Sequence, residues 1–317
     1  MESLNQIHRV REFFREEYDR AFRHEHWHVG IVDAPIHSFL EGDRRPDVRW
    51  LPLPPHGKYF ADPFGLERAS ATTILFEEFD FRTQKGVISW VEEEAHGFSR
   101  PEVAIELDVH ASYPFLIERD GAVFCIPETA YGGEVSLYRA SDFPSRWTKD
   151  TTLLPRVAAL DSTVFEHDGR FWLMCTDLED GPFSKLRLWY APDLRGPWTP
   201  HPANPVKTDL ASARPAGTPF TWEGELYRPS QDSSKTYGGS VVLNRIVRLT
   251  TTDFREERVA TVGPFQDGMH AHGVHTLAAV GDRTLVDGKR FAFEGRMMAR
   301  NLRDSVGNRW PRTFLGA

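Results

Sequence analysis

One hairpin is written into this chain several times in different residues. Asp161 to Asp177 reads as a polar residue, a short apolar run, the pair Asp168-Gly169 and a second apolar run. Asp-Gly between two such runs is a strong hairpin signal, because a tight turn needs the positive φ that glycine adopts freely. Tyr113 to Glu128 repeats the pattern around Asp120-Gly121, and Gly217 to Arg228 repeats it around Glu223-Gly224. Looser versions begin at Asp62-Pro63-Phe64 and at His275-Thr276-Leu277. Aligned on the turn glycines, Tyr113, Asp161 and Ala216 are equivalent, and Asp62 joins them through the shared Pro-Phe.

A second phrase recurs at the same interval. Leu137 to Trp147 matches Leu188 to Trp198 and reads as a third strand, a turn and the start of a fourth. Repeats of about 40 to 50 residues with several strands each are the signature of propeller blades. Five units are present, so the expected fold is an all-β five-bladed propeller.

The expected layout is an amphipathic helix over 1–26, a propeller over 27–295 and a tail over 296–317. Leu4, Ile7, Val10, Phe13, Phe14, Tyr18 and Phe22 share one helical face, which would pack on the propeller or on a second copy to give a homo-oligomer. Trp27 to Val32 reads as a strand able to complete the last blade and close the ring, removing an exposed sheet edge. Blade one is expected near 59–105, blade two near 110–155, blade three near 158–206, blade four across 213–247 and blade five over 257–295. The tail, with Arg300, Arg303, Arg309 and Arg312, resembles no strand.

Composition excludes several partners. A net charge of −8 argues against a nucleic-acid or anionic-membrane surface, both of which reward clustered Lys and Arg. No apolar run is long enough for a membrane-spanning helix, and the first residues lack the apolar core of a signal peptide, which points to the cytoplasm. Cys125 and Cys175 fall in second strands of different hairpins and are expected reduced in the core. Neither a phosphate-binding glycine loop nor a Gly-x-Ser-x-Gly elbow is present.

Propeller geometry then selects candidates. First strands line the axis and begin at one mouth of the channel, and second strands return to it. That mouth should gather Asp62, Tyr113, Asp161, Arg214 and His275 from strand starts, with Glu78, Glu128, Arg228 and Asp232 from strand ends. Such a polar ring is hard to justify as core. Five of them also have a structural reading: Asp62 and Asp161 as turn caps, Glu128 as a rim carboxylate, Arg214 and Arg228 as braces between blades. His24, His26 and His28, and His270, His272 and His275, have spacings that match no metal motif.

The phrase Phe60-Ala61-Asp62-Pro63-Phe64 resembles the blade-one signature of the five-bladed propeller glycoside hydrolases, the group of arabinanases, β-xylosidases, invertases and levansucrases. Asp161 to Gly169 is similar to a later acidic strand of that group. A closer likeness, over about 27–291, is to the propeller-like N-terminal region of plant glucosamine inositolphosphorylceramide transferases and their bacterial relatives. It is carried by Ser112 to Phe115, Ile126-Pro127-Glu128, Asp161 to Phe165, Ala213 to Gly217, Tyr227 to Asp232 and Gly273 to Leu277. The hydrolase resemblance implies Asp62 as base or nucleophile and Asp161 as the residue that tunes a pKa. Glu128 would imitate the invertase-like acid, since the later blade in which arabinanases keep theirs offers Arg214 and Asp232 instead. It also implies that a calcium ion could sit near His275; no other cofactor or metal is expected.

Glycosidic cleavage passes through an oxocarbenium-like state, so one carboxyl must stay protonated while another stays ionised. The expected function is therefore cleavage of a glycosidic bond in a carbohydrate or glycosylated small molecule. Asp62, Glu128 and Asp161 would do the charge work, and Glu78, Tyr113, Arg214, Arg228, Asp232 and His275 would hold substrate. The alternatives are glycosyl transfer to a small-molecule or lipid acceptor, with an arginine gripping phosphate, and a silent propeller that binds a glycan or partner.

Overall fold

In a computed structural model of the chain, residues 23–42, 46–68, 71–265 and 269–293 are described. They form five antiparallel sheets. Blade one is Lys58–Arg68, Ala71–Asp80 and Lys85–Glu94, with Gly97–Phe98 and Glu102–Ile105 both edging the third strand. Blade two is Ser112–Arg119, Ala122–Glu128, Glu134–Asp142 and Arg146–Pro155. Blade three is Ala159–His167, Arg170–Asp177 and Lys185–Ala191, edged by Thr199–Pro200 and Lys207–Thr208. Blade four is Phe220–Trp222, Glu225–Asp232, Ser240–Leu249 and Phe254–Val262. Residues from 257 on, expected in blade five, thus finish the last strand of blade four.

Blade five is built from both ends of the described chain. Leu277–Val280 and Arg283–Phe293 supply its inner strands, Arg23–Val32 is its third and Arg49–Trp50 its fourth. Ten residue pairs join Arg23–Val32 to Arg283–Phe293, so the expected ring closure is present. That strand begins at Arg23, ahead of the expected boundary at residue 26. The rest of the expected N-terminal helix, the oligomer contact that hung on it and the tail from residue 296 lie outside the described residues. No helix among the described residues is long and apolar enough to cross a membrane.

The hairpin turns form for the reason their sequences suggest. Asp120 and Gly121, Asp168 and Gly169, and Glu223 and Gly224 all have positive φ, as a two-residue type I′ turn demands. Phe64, Phe115, Val164 and Ala278 on first strands pack with Ile74, Ile126 and Leu173 on second strands into one core. Burying each large side chain contributes roughly 1.5–3 kcal/mol. Cys125 and Cys175 are free thiols inside the sheets.

Candidate functional site

The equivalent positions found in the sequence share a backbone distortion. Strand pairing slips between Ala61 and Phe64, between Ser112 and Phe115, and between Leu160 and Thr163. The bulged residues Asp62, Tyr113 and Asp161 have φ of 52°, 43° and 53°. A left-handed residue other than glycine costs roughly 1–2 kcal/mol, and bulges re-aim side chains beside functional sites. Three blades carry this cost at one level of the channel, and two of the residues so aimed are acids.

Each bulge at Asp62 and Asp161 is held by the preceding blade. Asp161 N–H donates to Glu128 Oε2 at 2.9 Å, and Asp62 N–H donates to Asp287 Oδ2 at 3.2 Å. Asp287 also accepts the N–H groups of His275 and Thr276, at 2.9 and 3.0 Å. Glu128 at the end of one second strand and Asp287 within another thereby buckle one blade to the next and bring carboxyls together.

Asp62 is 6% exposed and accepts the Thr276 hydroxyl at 3.0 Å. His275 Nδ1 lies 2.6 Å from Asp287 and its Nε2 lies 3.6 Å from Asp62. Burial pushes the Asp62 carboxyl up to about 6, with Asp161 and Asp287 adding to the rise and His275 opposing it. Burial alone would lower His275, yet Asp287 and Asp62 outweigh it and leave the imidazole above its usual value. Trp27 from the closing strand stacks on His275, and Tyr237 meets its ring edge-on.

Asp161 is gripped by the guanidinium of Arg214 and by the Gln231 amide at 2.8 Å. Arg214 also comes within 3.8 Å of Glu128 and lies over the rings of Phe183 and Tyr237. Burial raises Glu128 well above the ordinary carboxyl range, Asp161 adds to it, and Arg214 only partly compensates.

Asp62, Glu128, Asp161, Arg214 and His275 are therefore brought together as the sequence suggested. The other four candidates are placed differently. Tyr113 is fully buried; its hydroxyl accepts Gly217 N–H at 2.7 Å and bonds Thr163 at 2.9 Å, tying three blades across the channel. Gly217 must be glycine there, since a Cβ would lie 1.8 Å from Leu277 O. Arg228 is sealed within blade four, bound twice by Glu256 at 2.6 Å and to Ser212 O at 2.6 Å, so it braces its own blade and not two neighbouring ones as expected. Asp232 caps the Ser234 turn. Glu78 pairs with Lys58 and accepts the Ser89 hydroxyl, while its neighbour Glu77 turns inward.

Glu77 was the missed acid. Its carboxyl is raised by burial and then by Asp62 and Glu128, and His110 Nε2 lies 3.4 Å away. Asp287, Gln231, Thr276 and Tyr237 were also missed.

Asp62, His275 and Asp287 offer three ligand atoms within 4.8 Å of one another. Calcium prefers six to eight oxygen ligands, so this set of two carboxylates and an imidazole would supply only part of a shell. A separate cavity of about 650 Å³, lined by His28, Trp50, Leu51, Phe265 and His270, lies at the outer strands of blade five and holds none of these acids.

Comparison with known proteins adds relatives to this geometry. The sequence profile of the family described as glucosamine inositolphosphorylceramide transferase 1, N-terminal, matches residues 54–275. Proteins named glucosamine inositolphosphorylceramide transferase 1 from Oryza sativa subsp. japonica and Arabidopsis thaliana are 32% identical over 248 residues and 31% identical over 208. These alignments cover 73% and 63% of this chain, and 33% and 27% of the relatives, so the chain spans about a third of their length or less. Among solved structures, a GH43 β-1,3-galactosidase superposes with TM-score 0.51 at 14% identity, covering 60% of this chain and 43% of that one. An exo-β-1,3-galactanase from Clostridium thermocellum gives 0.51 at 10% identity, covering 70% and 58%. At such identities the likeness is one of fold.

Proposed function

The chain belongs to the glucosamine inositolphosphorylceramide transferase 1 N-terminal family, and on that premise we propose that its channel mouth binds a carbohydrate and cleaves a glycosidic bond by carboxylate acid/base chemistry. The observation that carries this reading is a pair of buried acids whose surroundings move them by different amounts. Burial moves Asp62 up to about 6, so it is ionised at neutral pH, and raises Glu128 well above the ordinary carboxyl range. Two carboxyls separated in this way are what an oxocarbenium-like transition state requires.

In this mechanism Glu128 protonates the leaving oxygen and Asp62 serves as base or nucleophile at the sugar carbon. Asp161 acts through Glu128: its charge raises that carboxyl, and its bulged N–H orients it. Arg214 and Gln231 hold Asp161, and Thr276 and His275 hold Asp62. Should a calcium ion bind near His275, Asp62 and Asp287 would be its nearest carboxylates, and it would supply charge stabilisation there.

Transfer is the second reading, favoured by the relatives' name as transferases. The two separate by product. A panel of 4-nitrophenyl glycosides and a panel of nucleotide sugars with lipid or sugar acceptors should be incubated with the full chain. Free sugar from the first supports cleavage, and a new conjugate from the second, without free sugar from the first, supports transfer.

A further inference from the structure

We propose that His110 is a positioning residue of the channel mouth: its imidazole, fixed as the Nε2–H tautomer, aims the Glu77 carboxyl, which is a further contact for the substrate. The inference rests on that mouth being the ligand site. In the first three blades Glu77, Glu128 and Thr176 occupy the same place, each opposite the residue that precedes the bulge. Glu128 uses its place to clasp the bulged amide of the next blade, Asp161 N–H, at 2.9 Å. Glu77, 4% exposed, meets an imidazole instead of an amide: His110 Nε2 lies 3.4 Å from its Oε1.

The proton on that imidazole can be assigned. Gly86 N–H donates to His110 Nδ1 at 2.9 Å, so Nδ1 carries the lone pair. Burial lowers His110 to about 4, so the ring is neutral at neutral pH and its single N–H is on Nε2, the atom that faces Glu77. Ala111 N–H donates to Gly86 O at 3.1 Å, so both backbone groups of Gly86 pin the segment that enters blade two. Phe79 and Tyr131 meet the His110 ring edge-on. Gly86 has no room for a side chain, since a Cβ would lie 2.7 Å from Glu77 Oε1 and 3.0 Å from His110 Cε1. The glycine lets the imidazole and the carboxyl approach.

The surroundings of Glu77 make that donor matter. Asp62, Glu128 and Asp287 are its acidic neighbours, and the Tyr59 hydroxyl bonds it. Its orientation therefore hangs on two donors, Tyr59 and His110. Unlike Glu128 it secures no bulge, and its remaining lone pairs are available to sugar hydroxyls.

Substitutions that keep one ring nitrogen at a time test this on the full chain. Asparagine places an acceptor near Nδ1, so His110→Asn retains the bond from Gly86 and loses the donor to Glu77. Glutamine places an N–H near Nε2, so His110→Gln does the opposite. With the best 4-nitrophenyl glycoside, His110→Asn should lose roughly ten- to a hundredfold of kcat/KM, and His110→Gln should recover most of it. In a Glu77→Gln background the two should turn over alike. Thermal unfolding should rank them the other way, with His110→Asn the more stable. Turnover that instead follows stability makes His110 a brace for Gly86 and overturns the inference. Nitrogen-15 NMR of the histidine-labelled chain, with the His110 signal identified by its loss in His110→Gln, should show Nε2 protonated. A proton on Nδ1 overturns the inference whatever the activity. A native chain that binds sugar and turns none over removes the cleavage reading alone; calorimetry on the same variants should then give the same ranking in affinity, and equal affinities overturn the inference.

Discussion

The indole of Trp27 lies flat on the imidazole of His275, their centroids 3.7 Å apart and their planes 7° from parallel. Trp27 belongs to the strand that closes the ring, and His275 opens the last blade. Closure of the propeller therefore also builds one wall of the candidate site, and the stack reports on the charge of His275.

Protonation of His275 should quench Trp27 fluorescence. Because Asp287 and Asp62 raise the imidazole, the midpoint should lie above 6.5. The stability this pairing provides is complete below pH 6.5 and is lost as pH rises through the folded-state value. The difference in emission between the native chain and Trp27→Phe, followed from pH 5 to 9, measures it. A midpoint at or below 6.5 would contradict the pairing.

Asp62 behaves oppositely. Its folded value near 6 exceeds the ordinary 3.8, so the folded state holds the proton longer and stability falls as pH rises from about 4 to 6. Asp62→Asn can still accept the Thr276 hydroxyl. It should stabilise the unliganded chain by on the order of 2 kcal/mol at pH 7.5, with little effect at pH 4. Urea titrations at both pH values check the sign.

Arg228 and Glu256 form a sealed pair, with both side chains 2% exposed. Arg228→Met strands a buried carboxylate and should cost about 3–5 kcal/mol. Adding Glu256→Leu should recover much of that loss. A fully stable Arg228→Met that has lost sugar binding would instead restore Arg228 as a ligand contact.

Glu77 and Glu78 discriminate the faces of one strand. Glu78→Gln should leave sugar affinity within about twofold, because its carboxyl serves Lys58 and Ser89. Glu77→Gln should change affinity and its pH dependence. Titration calorimetry of the two variants side by side gives the comparison.

That pair also marks where the sequence was readable. Turn glycines, Pro-Phe phrases and interval length revealed the blades, and the aligned positions Asp62, Tyr113 and Asp161 proved to be the same bulge. Inward parity was misread because side chains alternate every residue along a strand and a bulge shifts the count by one. The register that pairs Ser112 with Glu128 pairs Ala61 with Glu77, so the repeat held the correction: the blade-one equivalent of Glu128 is Glu77, not Glu78. Gln231 and Tyr237 were not legible, since their roles come from contacts with Asp161 and His275 on other blades and with Arg214, well separated from them in sequence. Arg228 carried no local sign that Glu256, on the last strand of its own blade, would claim it.

The most direct test of the whole account is kcat/KM for the best 4-nitrophenyl glycoside, measured from pH 4 to 9 on the native chain, Asp62→Asn and Glu128→Gln. The native profile should rise through about pH 6 as Asp62 ionises and fall on the alkaline side as Glu128 loses its proton. Each variant should lose roughly 10²–10⁴-fold of turnover while still binding sugar. Native-like turnover in Asp62→Asn, with the acid limb in place, would contradict it.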